Sequence, residues 1–194
     1  MRQPARRVIL GSHLVWTGYG HWLSNDPRGS WSVETRKSEL RELGDEHFGR
    51  NPDQPSRTEL RAFYRDAEER LEHPVVWFDE PIRKRIACVI EEVVKARGYT
   101  VWAFAVCRNH MHGLFRAHRD HAQVMWALVA QATRDRLQGE KLVPDSHPVW
   151  SHRPSFVFKH DHQQVMTCVD YIAKNPTKEG LPRQHWPFVS SVPF

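Results

Sequence analysis

The stretch Val101-Trp102-Ala103-Phe104-Ala105-Val106-Cys107-Arg108-Asn109-His110-Met111-His112-Gly113-Leu114-Phe115 decides how this chain is read. Two apolar runs flank a short polar link, which reads as two consecutive β-strands. Side chains two apart on a strand share a face, with Cα atoms ~6.6 Å apart. His110 and His112 therefore point the same way, and Met111 packs into the core behind them. Two neutral imidazoles on one rigid strand are a start on a divalent-metal site. The chain has thirteen histidines in 194 residues, so a solvated surface strand is the competing reading, and the surrounding sequence has to decide.

Upstream, Val8 to Thr17 reads as a first strand. Gly18 to Ser32 is a loop in which Asp26-Pro27-Arg28-Gly29 fits a type I turn. Residues 33–73 are polar and charged, and within them Arg57 to Glu72 has helical spacing through Leu60, Phe63, Ala67 and Leu71. This region reads as an insertion. Asp79-Glu80-Pro81 then starts a helix whose apolar face is Ile82, Ile86, Val89, Ile90, Val93 and Val94, with Gly98 as its stop.

Downstream of the two strands, at about 100–106 and 110–116, comes a helix from His121 to Gln138. It carries Ala122, Met125, Trp126, Val129, Ala132 and Leu137, with Thr133, Arg134 and Arg136 turned other ways. A strand is expected near Ser155 to Lys159. The last helix begins at Asp161, buries Val165, Cys168, Val169 and Ile172, and is expected to end at Asn175-Pro176, because a residue before proline avoids the α region. The order is strand, helix, strand, strand, helix, strand, helix. It implies an α+β, ferredoxin-like βαββαβ sandwich with an antiparallel sheet and a terminal helix. We expect a single domain over residues 1–194, with the polar helical insertion at 33–73.

Composition narrows the class. Hydrophobic residues make up 40% of the chain, with eight Trp and nine Phe, enough for a real core and against wholesale disorder. No apolar run approaches the ~18 residues of a membrane span. Val8-Ile9-Leu10 after the basic start is too short for a secretory segment, so a cytoplasmic protein without a membrane partner is expected. Three cysteines without a C-x-x-C pair argue against a disulfide framework and against a cysteine zinc cluster. Cys88 and Cys168 fall on apolar helix faces and are expected in the core, while Cys107 lies three residues before His110. A net charge of +5 suits a polyanionic partner.

On the last helix, Tyr171 and Asn175 lie one turn apart on one side, at the rim of the apolar stripe. A phenol is a poor nucleophile until its proton is removed. A divalent ion held by the histidines could polarise a phosphate for it, and the Asn175 amide oxygen could be a third ligand. The competing reading makes Tyr171 a half-buried packing residue and Asn175 a helix cap.

The segment Asn109-His110-Met111-His112-Gly113-Leu114, followed by Tyr171-Ile172-Ala173-Lys174-Asn175-Pro176-Thr177-Lys178-Glu179-Gly180-Leu181, resembles the single-tyrosine HUH transposases. The branch it is most similar to is the REP-associated tyrosine transposases. Trp186-Pro187-Phe188-Val189-Ser190-Ser191 resembles the usual tail of that family, and Trp22 to Ser30 resembles a loop of some members. Arg108 departs from the family, whose members commonly have proline there.

The resemblance implies an HUH nuclease fold and a metal-dependent enzyme: a single-strand DNA endonuclease and strand transferase acting on single-stranded or hairpin DNA. His110, His112 and Asn175 would hold Mg²⁺ or Mn²⁺. Tyr171 would attack a phosphate, leaving a 5′-phosphotyrosine link and a free 3′-OH. No Gly-rich nucleotide loop is present, consistent with a covalent link that conserves the phosphodiester energy.

For DNA contacts the sequence offers Arg28, Arg108, Arg134, Arg153, Lys159, Lys174 and Lys178, with Trp150 and Phe156 as stacking platforms. His13 on the first strand either lines the metal face or is an ordinary strand histidine. The alternatives are a domesticated hairpin-DNA-binding protein that does not cleave, a replication-initiator or relaxase-type nuclease, and a non-catalytic metal-binding domain. A monomer and a homodimer both fit.

Overall fold

The computed structural model describes residues 8–30, 38–152 and 154–193. In chain order the elements are β1 (Gly11–Thr17), α1 (Ser38–Arg41), α2 (Arg57–Glu68), α3 (Glu80–Arg97), β2 (Val101–Val106), β3 (His110–Arg116), α4 (Ala122–Gly139), β4 (Ser155–Lys159) and α5 (His162–Lys178). The four strands form one sheet in the order β2-β3-β1-β4, antiparallel at every pairing. With α3 and α4 as the crossovers, this is the ferredoxin-like sandwich, followed by α5.

Two compact units are present: Met1–Thr17 with Trp77–Phe194, and Gly18–Val76. The first contains the sheet. Along β3, Met111 and Phe115 are fully buried on one face, the face covered by α3 and α4. His110, His112 and Leu114 alternate with them and face α5. Leu114 packs there with Trp102, Ala103 and Ala105 of β2 and with Val165, Cys168 and Ile172 of α5. The β2–β3 link is closed by a hydrogen bond from Cys107 N–H to His110 C=O, 2.8 Å, which holds the register that puts both histidines on the α5 side.

Helix α3 starts as its sequence requires. Asp79 accepts from Ile82 N–H, Pro81 stands in the first turn, and Gly98 takes the left-handed conformation at the end, φ 67°. On that helix Cys88 is exposed, against the expectation of a core thiol, because it lies just outside the stripe of Ile82, Ile86, Val89 and Ile90. On α4, Thr133 is fully buried, not turned to solvent. Its hydroxyl donates to Val129 C=O within its own turn and accepts from the Trp150 indole N–H at 2.8 Å, so no polar atom is stranded.

Helix α5 does not end at Asn175-Pro176. It runs to Lys178 with Pro176 inside it. Leu181 N–H bonds to Pro176 C=O, Gly180 N–H bonds to Thr177 C=O, and Gly180 has φ 69°. This is a Schellman close, and the buried Leu181 supplies its apolar contact. The terminator is therefore the Lys178-Glu179-Gly180-Leu181 segment, and α5 carries an extra turn whose cap is Glu179.

The open edge of β2 is covered by the C-terminal segment. The Gln184 amide both accepts from Val106 N–H at 2.9 Å and donates to Val106 C=O at 2.8 Å. Val189 bridges Val101, and Ser190 N–H bonds to Val101 C=O.

In the Gly18–Val76 unit, the Asp26-Pro27-Arg28-Gly29 turn is closed by Gly29 N–H to Asp26 C=O, 2.7 Å. Gly29 has φ 90°, and a Cβ there would stand 2.0 Å from the Gly49 carbonyl oxygen, so no other residue fits. Helix α2 is opened by a capping box between Ser56 and Glu59 and stops four residues short of the expected Glu72.

Candidate active site

The sheet face toward α5 gathers His13, His110, His112 and Tyr171. The ring of His112 lies 4.9 Å from that of His110, 5.2 Å from His13 and 5.5 Å from Tyr171, centroid to centroid. His13 is 6.0 Å from Tyr171. Strand pairing explains the cluster: His13 sits opposite Leu114, and His112 opposite Val15, so the two histidines are diagonal neighbours on one face. Tyr171 remains 45% exposed, open to a substrate.

Hydrogen bonds fix which nitrogen of His110 carries its proton and leave two arrangements for the His13–His112 pair. His110 Nδ1 is 2.8 Å from Asn109 Oδ1 and 3.6 Å from Glu179 Oε1. Both oxygens only accept, so Nδ1 carries the proton and Nε2 keeps its lone pair. His112 Nδ1 is 3.1 Å from His13 Nε2, while His112 Nε2 is buried with no partner among the described residues. Were His13 the donor, His112 Nε2–H would be a buried donor without an acceptor. With His112 the donor, Nε2 presents a lone pair, which a cation would satisfy.

Burial makes these rings hard to protonate. His112 is pushed down to about 2, chiefly by burial and then by His110, His13 and Lys178. Burial, followed by Lys159, lowers His13 to about 4. His110 is lowered by burial, with Glu179 pulling the other way. All three are neutral imidazoles at physiological pH, the form that binds metals.

The other candidates fall as follows. Asn175 is 9% exposed, and its Nδ2 donates to Tyr171 C=O at 2.8 Å, leaving Oδ1 as the atom a cation would take. Lys178 holds its ammonium 4.9 Å from the Tyr171 ring centroid, and Lys159 is close enough to bias His13. Lys174 is exposed on α5 and Arg108 is exposed at the β2–β3 link.

Arg134 belongs to α4, on the far face of the sheet, so it is not brought to this cluster. The Arg28 guanidinium is already committed to Asp26 at 2.6 Å and stacks 4.0 Å over Trp22. Arg153 lies outside the described residues. Trp150 is corrected as a stacking platform: it is 5% exposed, bonded to Thr133 and packed edge-on against Phe78. Phe156 is half-buried on β4.

Sequence reasoning did not find Glu179. Its carboxylate accepts from Arg108 N–H at 3.1 Å through Oε2 and faces His110 through Oε1. The signal was its spacing of eight residues after Tyr171, two helical turns, which counts only if α5 continues past Pro176. Cys107, His110 and Glu179 also bring one donor atom each to within 4.8 Å of one another.

Comparison of the sequence with protein-family profiles and with curated proteins finds no match. Among solved structures, one neighbour is a REP-associated tyrosine transposase bound to a REP hairpin, with TM-score 0.48 and 16% identity over 96% of this chain and 81% of that one. Another is a candidate transposase of Deinococcus radiodurans R1, with TM-score 0.40 and 12% identity over 89% of this chain and 95% of that one. At TM-scores this low, neither neighbour assigns a role to a residue of this chain.

Proposed function

We propose that the chain is a metal-dependent, single-tyrosine DNA endonuclease and strand transferase of the transposase kind, acting on single-stranded or hairpin DNA. The observation that carries this reading is the buried Nε2 of His112, without a partner among the described residues and set in a group of neutral imidazoles beside an exposed tyrosine. The motif resemblance supplies the substrate class.

The donor set fits a divalent cation. His110 Nε2 and His112 Nε2 offer lone pairs, and Asn175 Oδ1 offers a third ligand. Two imidazoles with one amide oxygen suit Mn²⁺ better than Mg²⁺, which favours an all-oxygen shell. When bound, the cation would polarise the scissile phosphate and stabilise charge building on it.

The protein's own residues do the rest. His13 and Asn109 hold the ligand rings in the tautomers that expose Nε2, with the Glu179 carboxylate facing His110 from α5. The Tyr171 oxygen attacks phosphorus as the bond to the 3′ oxygen breaks. The phenolic proton leaves to water, and the departing 3′ oxygen takes up a proton to become a free hydroxyl. The product is a 5′-phosphotyrosine, which that hydroxyl or another 3′ end can later attack. Lys178 and Lys159 place positive charge beside the reacting phosphate, and Lys174 and Arg108 extend it for the DNA backbone.

The test is covalent capture. Protein incubated with Mn²⁺ and a single-stranded oligonucleotide from the hairpin DNA flanking its own gene should form a denaturation-resistant adduct mapping to Tyr171. Tyr171→Phe should form none. Absence of adduct in the wild-type protein, or its persistence in the variant, refutes the reading.

A further inference from the structure

We infer that Cys107, His110 and Glu179 form a second metal site, selective for a thiophilic divalent ion such as Zn²⁺, that competes with the proposed Mn²⁺ or Mg²⁺ site for His110. Their donor atoms lie within 4.8 Å of one another, and His110 Nδ1 is already 3.6 Å from Glu179 Oε1. Donors around a tetrahedral zinc stand ~3.3–3.8 Å apart, as metal–ligand lengths of ~2.0–2.3 Å require. The set therefore closes onto an ion by side-chain rotation of about 1 Å.

Three features hold it in place. The backbone bond from Cys107 N–H to His110 C=O fixes the Cys-x-x-His spacing at the β2–β3 link. Arg108 N–H anchors the Glu179 carboxylate over that link. Glu179 itself is the cap of α5, so its position is set by the Schellman close. Sulfur, nitrogen and carboxylate oxygen with one open position is a zinc-type donor set, and Mg²⁺ does not take thiolate. As the metal–sulfur bond forms, the thiol proton passes to solvent.

The two sites exclude each other, because a neutral imidazole has one lone pair. While His110 Nδ1 donates to Asn109 Oδ1 at 2.8 Å, with Glu179 Oε1 facing it at 3.6 Å, Nε2 is free for the ion shared with His112. When Nδ1 binds zinc, the proton must sit on Nε2 and that ion loses a ligand. The metal site stands on the geometry alone, and only the consequence for cleavage rests on the proposed function.

Co²⁺, a spectroscopic stand-in for Zn²⁺, tests the site on the full chain. We expect a near-ultraviolet thiolate-to-Co²⁺ charge-transfer band that Zn²⁺ abolishes by displacement. It should survive in Cys88→Ser and His112→Ala, vanish in Cys107→Ser and Cys107→Ala, and need at least ~10-fold more Co²⁺ in Glu179→Gln, an isosteric change at a half-buried side chain. No band in folded wild-type protein, or a band retained in the Cys107 variants, overturns the proposal. For exclusion, Zn²⁺ should suppress the Mn²⁺-supported adduct of wild type and spare that of Cys107→Ser. Equal suppression of both overturns the competition. Failure of wild type to form any adduct without Zn²⁺ counts against the proposed function, and the Co²⁺ spectrum then judges the site separately.

Discussion

His13 shows how much can rest on one hydrogen bond. Its Nε2 stands 3.1 Å from His112 Nδ1, and when it accepts that proton it leaves His112 Nε2 with the lone pair that the proposed cation needs. His13→Leu should leave His112 Nδ1–H buried without an acceptor, let the ring adopt the wrong tautomer, and weaken Mn²⁺ binding by about 10–100-fold. His13→Gln, whose amide oxygen can still accept, should recover most of that loss. Mn²⁺ titration followed by electron paramagnetic resonance reads both, and equal affinities for the two variants would show that His13 only fills space. The same burial predicts a pH effect. His13 and His112 titrate near 4 and 2 in the folded chain but near 6.5 when unfolded. Below about 6.5 the unfolded chain takes up protons that the folded one refuses. Stability is therefore full above that pH and drains as pH falls toward about 4. Between neutral pH and pH 5 the loss is about 2 kcal/mol per ring. Urea unfolding at the two pH values should show it, with a shallower slope in His112→Gln; equal stability at both would refute the assigned burial.

At the scale of elements, α5 decides whether the site exists, and its last turn depends on Gly180. A Cβ there would meet nothing within 4 Å, so Gly180→Ala costs only the backbone strain of φ 69°, about 1 kcal/mol. Thermal melting should register that cost. Loss of the cap should also loosen Glu179 and weaken the charge-transfer band, although residue 180 touches no ligand. This turn marks the limit of what was legible. Period-2 and period-3.6 patterning fixed the element order, because each strand and helix buries the residues its period selects. Proline, read as a terminator, hid Glu179: the rule against α conformation before proline is a bias, which the Schellman bonds to Pro176 and Thr177 overcome. The burial of Thr133 and Trp150 is hidden from the sequence for a related reason. Each has a polar atom, and only the tertiary pairing reveals that the two satisfy one another. The place of His13 is not legible in the sequence because strand register, which sets its diagonal relation to His112, is not written in either strand alone.

At the scale of the molecule, the sheet is finished by a side chain. Gln184 bonds both the N–H and the C=O of Val106, standing in for a neighbouring strand at the end of β2 nearest the site. Gln184→Ala should lower stability by about 2 kcal/mol and speed hydrogen exchange at the Val106 amide. Unchanged exchange would mean that the edge is protected otherwise.

The antiparallel run of α5 over β3 sets two unlike rulers side by side. Going from His112 to His110 covers two strand steps, while Tyr171 to Glu179 covers eight helical ones, about 12 Å of axis at 1.5 Å each. The marks coincide at both ends, with Tyr171 against His112 and Glu179 against His110. Such a vernier tolerates changes of composition far better than changes of count. One residue added between Tyr171 and Glu179 would swing the carboxylate about 100° around the helix, separating phenol from carboxylate while the core stripe up to Ile172 stays packed. Length in this segment is thus a constraint of its own, separate from composition.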